Sequence, residues 1–552
     1  MSAATPDAPL TSFDIAAGSD THTVTNQVPP LVDYDVFATD AVLVDAVNRF
    51  GAGDATEELS RLGRLAGSEE AQRWGEEANR YSPVLRTHDR YGHRIDEVEY
   101  HPSYHRLMAT AVGAGLHGAA WTEGRPGAHV ARAAGFMVWN VDAGHGCPIS
   151  MTYAAVPALR ADDELAATWI PRLSARHYEP RPLPDKTSAL AGMAMTEKQG
   201  GSDVRANTTR AVPTEEPGWY RLLGHKWFCS APMGDLFLVL AQTDAGVTCF
   251  AVPRTLPDGT RNTFRLQRLK DKLGNRSNAS SEVEFAGTLG RRLGPEGRGV
   301  PTIVEMVNAT RLDCVLGSAA GMRAGVAQAT HHAAHRSAFG AELIEQPAMT
   351  AVLADLAIES EAATLLALRL AHAVDDGEVA FRRLATAVAK YFVCKRAPGH
   401  AAESLECLGG NGYVEDSGLP RLYREAPLNG LWEGSGNVNA LDVLRAMAKT
   451  PESVAAFADE VRLAAGADPR LDAATARLTS ALAAADQAGA RRLVEQMCLV
   501  LQGSLLVRYG HPAVADAFCA TRLGRDWGMA YGTLPSGVDV RTIVERARPK
   551  TG

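Results

Sequence analysis

The chain has 552 residues, a formal net charge of −8, 46% hydrophobic and 22% charged residues, a composition suited to a globular protein with several domains of about 100–200 residues each. No stretch approaches the roughly 18 consecutive apolar residues of a membrane span, and Met1 to Asp7 shows no basic or apolar leader pattern, so cytoplasmic residence is expected. The negative balance argues against a uniformly nucleic-acid-coated surface, and eight cysteines without a C-x-x-C pair suggest buried thiols rather than a zinc site or disulfide framework.

Residues 1–50 have little regular pattern, and 21–30 read as extended chain that must lie on something else. From about 51 to 180 helical periodicity dominates, as in Leu107, Met108, Val112 and Leu116. The character changes near Arg181-Pro182-Leu183-Pro184. Beyond it, 190–195, 219–223, 236–242, 247–252, 264–269 and 281–285 predict short strands separated by Gly, Pro and Asp turns. Amphipathic helices return from Val300 to about Lys449, including one over 349–370, and 455–552 predict two or three more. The expected fold class is α+β, mainly α. It comprises an N-terminal extension and helical domain (1–185), a small β-domain (186–290), a C-terminal helical domain (291–449) and an additional helical domain (450–552). Residues 445–552 hold 14 Lys/Arg against 11 Asp/Glu, leaving 42 against 53 in the remainder. A modest basic bias of this kind is more often a solvated face than a binding surface.

Chemistry gathers in a few segments. Glu433 stands in Leu431-Trp432-Glu433-Gly434-Ser435-Gly436-Asn437, after the arginine-rich 420–426. A carboxylate among apolar and glycine neighbours has its pKa raised, which suits the abstraction of a weakly acidic proton, and Gly434 and Gly436 let the backbone approach a planar ring. The plain alternative is a turn before a helix over 438–447, capped by Ser435 or Asn437. In 194–203, Thr196 offers a hydroxyl, Gly200 and Gly201 free backbone N–H groups for phosphate oxygens, and Ser202 a further donor. Arg336 precedes Phe339 and Gln346, and its planar fork suits phosphate. Three patterns are set aside. Gly113 to Gly118 matches G-x-G-x-x-G but follows a helical stretch. His331 and His335 share a helix face without a third ligand, so no metal is expected. The pairs Arg291-Arg292 and Arg382-Arg383 read as solvated faces.

Together these motifs resemble the acyl-CoA dehydrogenase family. The resemblance implies FAD as cofactor and Glu433 as the base that takes the α-proton of an acyl thioester. It places Met195, Thr196, Gly201 and Ser202 around the flavin, with Phe228 and Ser230 on its ring and Trp432, Gly434, Ser435 and Asn437 beside it. Arg336, Phe339, Gln346, Gly409 and Gly410 would reach the FAD of a neighbouring subunit, making the protein an obligate oligomer. Residues 269–277 and 282–285 look like closing strands that support the fold more than the site. Asn308 to Arg311 resembles the segment near the pantetheine arm, so Arg311 is a substrate candidate, or else a packing residue paired with Asp313 or Glu305.

The N-terminal extension, Trp432 and the helical tail are similar to the AidB-type branch, associated with the adaptive response to DNA alkylation. That branch implies a homotetramer, duplex-DNA contacts through Arg445 and Arg525, and weak activity on short or branched acyl-CoAs. Two functions follow as expectations. One is an FAD-dependent acyl-CoA dehydrogenase, reoxidised by an electron-transfer flavoprotein or oxygen. The other is a DNA-binding protective flavoprotein that intercepts alkylating agents.

Overall fold

The computed structural model describes residues 21–183 and 185–550; Met1 to Asp7, read above for a leader, and Pro184 of the 181–184 junction lie outside the described residues. Residues 21–30 are extended and lie on a later helix, as expected. The Asn26 side chain bonds the carbonyl and N–H of Ser337 at 2.8 and 2.9 Å, and the Pro29 carbonyl meets His331 Nε2 at 2.9 Å.

Helices α1 (Ala41–Arg49), α2 (Thr56–Ala66) and α3 (Glu69–Arg80) follow, α1 and α3 capped by Asp40 and Ser68 side chains that accept backbone N–H groups. A hairpin, β1 (Val84–His88) and β2 (Arg94–Glu99), then interrupts the expected helical run. Its strands are short and largely polar, so they carry no apolar alternation to read. Helices α4 (Pro102–Gly113), α5 (Ala128–Val138), α6 (Ala143–Leu159) and α7 (Asp163–Leu173) complete this part.

The middle of the chain forms one seven-stranded sheet from β3 (Ala191–Ala194), β4 (Arg210–Pro213), β5 (Trp219–Ser230), β6 (Leu236–Thr243), β7 (Gly246–Pro253), β8 (Phe264–Leu269) and β9 (Ser280–Leu293). Pairings β6–β7–β9–β5–β4–β6 close it into a ring. Strand β6 shows why it holds its place: Phe237, Val239 and Ala241 fill the ring's interior, while Leu236, Leu238 and Leu240 pack outward with Met151 of α6.

Helix α8 (Gly299–His335) is 37 residues, about 55 Å long at 1.5 Å per residue. Its first turns contribute Ile303 and Met306 to the β-domain interface, and its second half joins the helical core. After a two-residue hairpin pair, β10 (Ser337–Ala338) and β11 (Ala341–Glu342), come α9 (Pro347–Asp375), α10 (Val379–Glu406), α11 (Leu419–Glu425) and α12 (Gly436–Lys449). The tail holds five α-helices rather than two or three: α13 (Pro451–Arg462), α14 (Pro469–Ala483), α15 (Ala490–Tyr509), α16 (Pro512–Phe518) and α17 (Val540–Ala547). Its apolar side chains belong to one core that runs from Phe37 to Val544. All eight cysteines are buried. Among the described residues no helix is long and apolar enough to cross a membrane.

Candidate active site

Glu433 lies in the turn between α11 and α12 with a φ of +57°, a left-handed conformation that costs a residue with a side chain of order 1–3 kcal/mol. Donors from three helices pin the turn. Lys390 Nζ on α10 donates to the carbonyls of Trp432 and Gly434 at 2.8 and 2.6 Å. Arg311 Nε on α8 donates to the Glu433 carbonyl at 3.0 Å, and Asn439 Nδ2 on α12 to that of Gly434 at 2.6 Å. The carboxyl group receives a bond from Thr310 Oγ1 to Oε2 at 2.7 Å, and Oε1 has no hydrogen-bond partner among the described residues. Burial pushes this carboxyl above the usual range, against the opposing pull of the Thr310 hydroxyl, Lys390 and Arg311.

Glu433 faces a cavity of about 970 Å³ whose lining includes Met195, Thr196, Gly201, Ser202, Phe228, Ser230, Trp432, Gly434 and Ser435. The 196–202 loop is anchored from beneath by an ion pair between Glu197 and Lys226 at 2.8 Å, both side chains fully buried. Burial raises the Glu197 carboxyl, but Lys226 and the N–H groups of Thr208 and Thr209 outweigh it and hold the group well below the carboxylate range. The Trp227 N–H donates to the Thr196 carbonyl at 2.8 Å, tying loop to strand. Strand β5 carries one extra residue against β9 between Lys226 and Cys229, a bulge of the kind that re-aims side chains beside functional sites. It leaves Phe228 52% exposed on the same cavity wall as Ser230.

Three family models match consecutive parts of the chain: adaptive response protein AidB, N-terminal domain, over 26–180; acyl-CoA dehydrogenase, middle domain, over 192–288; and acyl-CoA dehydrogenase, C-terminal domain, over 297–448. AidB of Escherichia coli (strain K12) is 45% identical over 520 residues, 92% of this chain and 96% of that protein. The chain belongs to the acyl-CoA dehydrogenase family, AidB type. Acyl-CoA dehydrogenase family member 11 of Caenorhabditis elegans is 31% identical over 73% of this chain and 68% of that protein. The structure of Caenorhabditis elegans ACDH-11 in complex with C11-CoA superposes with a TM-score of 0.82 at 25% identity, covering 98% of this chain and 95% of that one.

FAD is the cofactor of this family, and the cavity wall fits it. A half-exposed aromatic face at Phe228 beside the hydroxyls of Thr196, Ser202 and Ser230 suits a planar, hydrogen-bonding ring. The expected site residues divide into two groups. Met195, Thr196, Gly201, Ser202, Phe228, Ser230, Arg311, Trp432, Glu433, Gly434 and Ser435 line the cavity. Arg336, Phe339, Gln346, Gly409, Gly410 and Asn437 do not. Asn437 is exposed on α12, and the α12 N-cap position belongs to Ser435, whose hydroxyl makes no capping bond. Phe339 is fully exposed at the tip of the β10–β11 turn, Gln346 Nε2 donates to the Ala338 carbonyl at 3.1 Å, and Arg336 donates to the Asn26 carbonyl.

Several expectations are corrected. Arg311 pairs with Asp442 at 2.8 Å, not with Asp313 or Glu305; Asp313 instead pairs with Arg132. With its Nε on the Glu433 carbonyl, Arg311 braces the turn. Lys272, Gly274 and Asn275, from the segment expected to support the fold more than the site, line the cavity. Three of the four arginines read as solvated are engaged: Arg291 with Glu164 at 2.6 Å, Arg292 with Glu296 at 3.4 Å and Arg383 with Asp442 at 3.0 Å. Much of the tail's positive charge is also spent internally, on Arg470 with Asp468 and Asp516, Arg508 with Glu460, Arg522 with Asp355 and Glu359, and Arg546 with Asp45 and Glu361. Arg445 is exposed but shares Asp442 at 3.1 Å, and Arg525 is exposed with a φ of +64°. Sequence reasoning missed Thr310, Lys390, Glu197 and Lys226. The available signal was a lone charge inside an apolar run, as at Lys390 between Ala389 and Tyr391.

Proposed function

We propose that the protein catalyses α,β-dehydrogenation of an acyl-CoA, with Glu433 as the base that takes the α-proton. The carrying observation is Glu433 itself: a buried carboxyl with raised proton affinity, one oxygen held by Thr310 and the other open toward the same cavity as the flavin-side residues. Oε1 receives the proton leaving the α-carbon while Thr310 keeps the carboxyl from rotating away. Lys390, Arg311 and Asn439 bind backbone carbonyls only, so they fix the turn without neutralising the base through a direct contact. FAD, when bound, supplies the acceptor for the hydride that leaves the β-carbon. The acyl thioester becomes a 2-enoyl thioester, and an electron-transfer flavoprotein or oxygen takes the electrons onward.

The flavin site is completed across a subunit boundary in a cytoplasmic homotetramer. This accords with Arg336, Phe339, Gln346, Gly409 and Gly410 lying apart from the cavity of their own chain, and with a fully exposed phenyl ring at Phe339. The acyl-CoA bound by the Caenorhabditis elegans neighbour favours an acyl-CoA substrate here. The duplex-binding, protective alternative is left to the tail arginines without a carboxylate partner, Arg525 among them, since Arg445 and five others are paired. Anaerobic titration of the FAD-loaded protein with acyl-CoAs tests the choice. Bleaching of the flavin is expected. No bleaching by any acyl-CoA, together with a duplex affinity that falls steeply with salt and is lost in Arg525→Glu, would replace the dehydrogenase by the protective role.

A further inference from the structure

The resemblance pointed to short or branched acyl groups, yet the cavity continues far beyond the reach of one. On α8 its lining passes Glu433 at Thr310 and recurs on every turn beyond, through Cys314, Gly317, Gly321 and Ala324 to Gln328. Eighteen residues at 1.5 Å each make about 27 Å of continuous helix face. The opposite wall carries Leu419, Leu422, Ala426 and Leu428 beside the charged Arg421, Arg424 and Glu425, and the distal part is lined by Leu31, Tyr34 and Leu43 from the N-terminal segment.

Two polar side chains on the α8 face of this arm have partners. The Ser318 hydroxyl bonds Cys394 Sγ at 3.3 Å and accepts from Asn429 Nδ2 at 3.2 Å. Arg323 pairs with Asp40 at 3.3 Å and donates to the carbonyls of Thr39 and Ala547. The stretch between Gly317 and Gly321 on α8 and Leu419 and Leu422 opposite offers water little, and apolar surfaces of that kind take apolar ligands. Two glycines keep it open. A Cβ on Gly321 would meet nothing closer than Leu422 Cδ1 at 3.7 Å, and one on Gly317 only Asn429 Nδ2 at 3.2 Å. Larger residues there would project into the space.

We infer that the substrate is a long-chain, unbranched acyl-CoA whose tail runs along α8 past Gly317 and Gly321 toward Tyr34 and Arg323, with Gly321 setting the chain length accepted. The inference rests on the dehydrogenase reading for the chemistry at Glu433, but the arm itself can be tested without turnover.

Gly321 lies about 16 Å along the helix from Thr310 at 1.5 Å per residue, deeper than an octanoyl chain reaches and within range of a palmitoyl chain. FAD-loaded wild-type and Gly321→Leu proteins are titrated with butyryl-, octanoyl- and palmitoyl-CoA, binding being followed by calorimetry and flavin reduction by anaerobic bleaching. Thermal melting checks that the variant is folded; leucine is favoured over glycine inside a helix. In the wild type, affinity is expected to rise about four-fold per methylene, the equivalent of about 0.8 kcal/mol each, up to palmitoyl. In Gly321→Leu the preference for palmitoyl over octanoyl should collapse by a hundredfold or more. A wild-type affinity flat beyond butyryl, or an unchanged palmitoyl preference in the folded variant, overturns the inference. Palmitoyl-CoA that binds tightly and is displaced in the variant, without bleaching any flavin, keeps the acyl arm and removes the dehydrogenase reading instead.

Discussion

Two glutamates eight residues apart line the same cavity, and both have a carboxyl whose proton affinity is raised by burial, yet their surroundings differ. Glu425 ends α11, and both of its oxygens accept the Asn275 N–H, at 2.7 and 2.8 Å. Burial and the neighbouring Asp142 push it up to about 7, against the Asn275 N–H, Arg421 and Lys272. Glu433 has one oxygen held by a hydroxyl, the other open, and a strained backbone pinned by donors that never touch its carboxyl. Burial alone therefore does not mark a base. What sets the proposed base apart is an oxygen left open toward the cavity while other residues carry the cost of holding the backbone.

The largest effect that could break this distinction is on rate. Glu433→Gln is expected to slow anaerobic flavin bleaching by 10²–10⁴-fold, roughly 3–5 kcal/mol of barrier, with FAD content and melting temperature nearly unchanged; Glu425→Gln should stay within a few-fold of wild type. Equal losses in the two variants would erase the contrast. In the wild type the rate should climb with pH through a midpoint above the ordinary carboxylate range, because only the ionised Glu433 accepts a proton.

Lys390→Met comes next. It leaves the Trp432 carbonyl without its donor and the Gly434 carbonyl with Asn439 alone, costing about 1–3 kcal/mol of stability for the orphaned group. Melting temperature and bleaching rate should fall together, and a variant that melts as wild type would show that the turn needs no such brace.

Glu425 sharpens the comparison through stability. Unfolded, its carboxyl ionises near 4.5, and folded near about 7, so above pH 4.5 the unfolded chain releases a proton that the folded chain retains. Stability therefore declines as pH rises through this window, by up to about 3 kcal/mol once above about 7. Glu425→Gln keeps an acceptor for Asn275 but cannot ionise, so its melting temperature should gain on wild type between pH 5 and pH 8. A constant difference across that range would deny Glu425 its raised proton affinity.

The smallest effect concerns the hydroxyl on the base. Thr310→Val removes a bond worth roughly 1 kcal/mol, which lowers the proton affinity of Glu433 in the wild type. The pH–rate profile of the variant should shift to higher pH, with a rate loss below about ten-fold on its plateau; an unmoved profile would place Thr310 outside the base's environment.

The sequence by itself determined the order of helical, β and helical parts, six of the seven strands of the sheet, and the 194–203 and 431–437 segments that contribute to the cavity, because these depend on local periodicity and on short runs of residues that carry their chemistry with them. Strand β4 escaped it, being only four residues long, and so did the β1–β2 hairpin, short and mostly polar. Only the tertiary structure decided what the charges do. Asp442 waits on Arg311 from 131 positions away, Glu197 on Lys226 from 29, and Arg508 and Arg522 of the tail on carboxylates of α13 and α9, so part of a basic balance that looked like surface is held in internal pairs. The length of the cavity is also tertiary. Gly317, Gly321 and Ala324 read as ordinary helix until α11 and the N-terminal segment are set against them, because a void is a property of facing surfaces and has no spacing along a single chain.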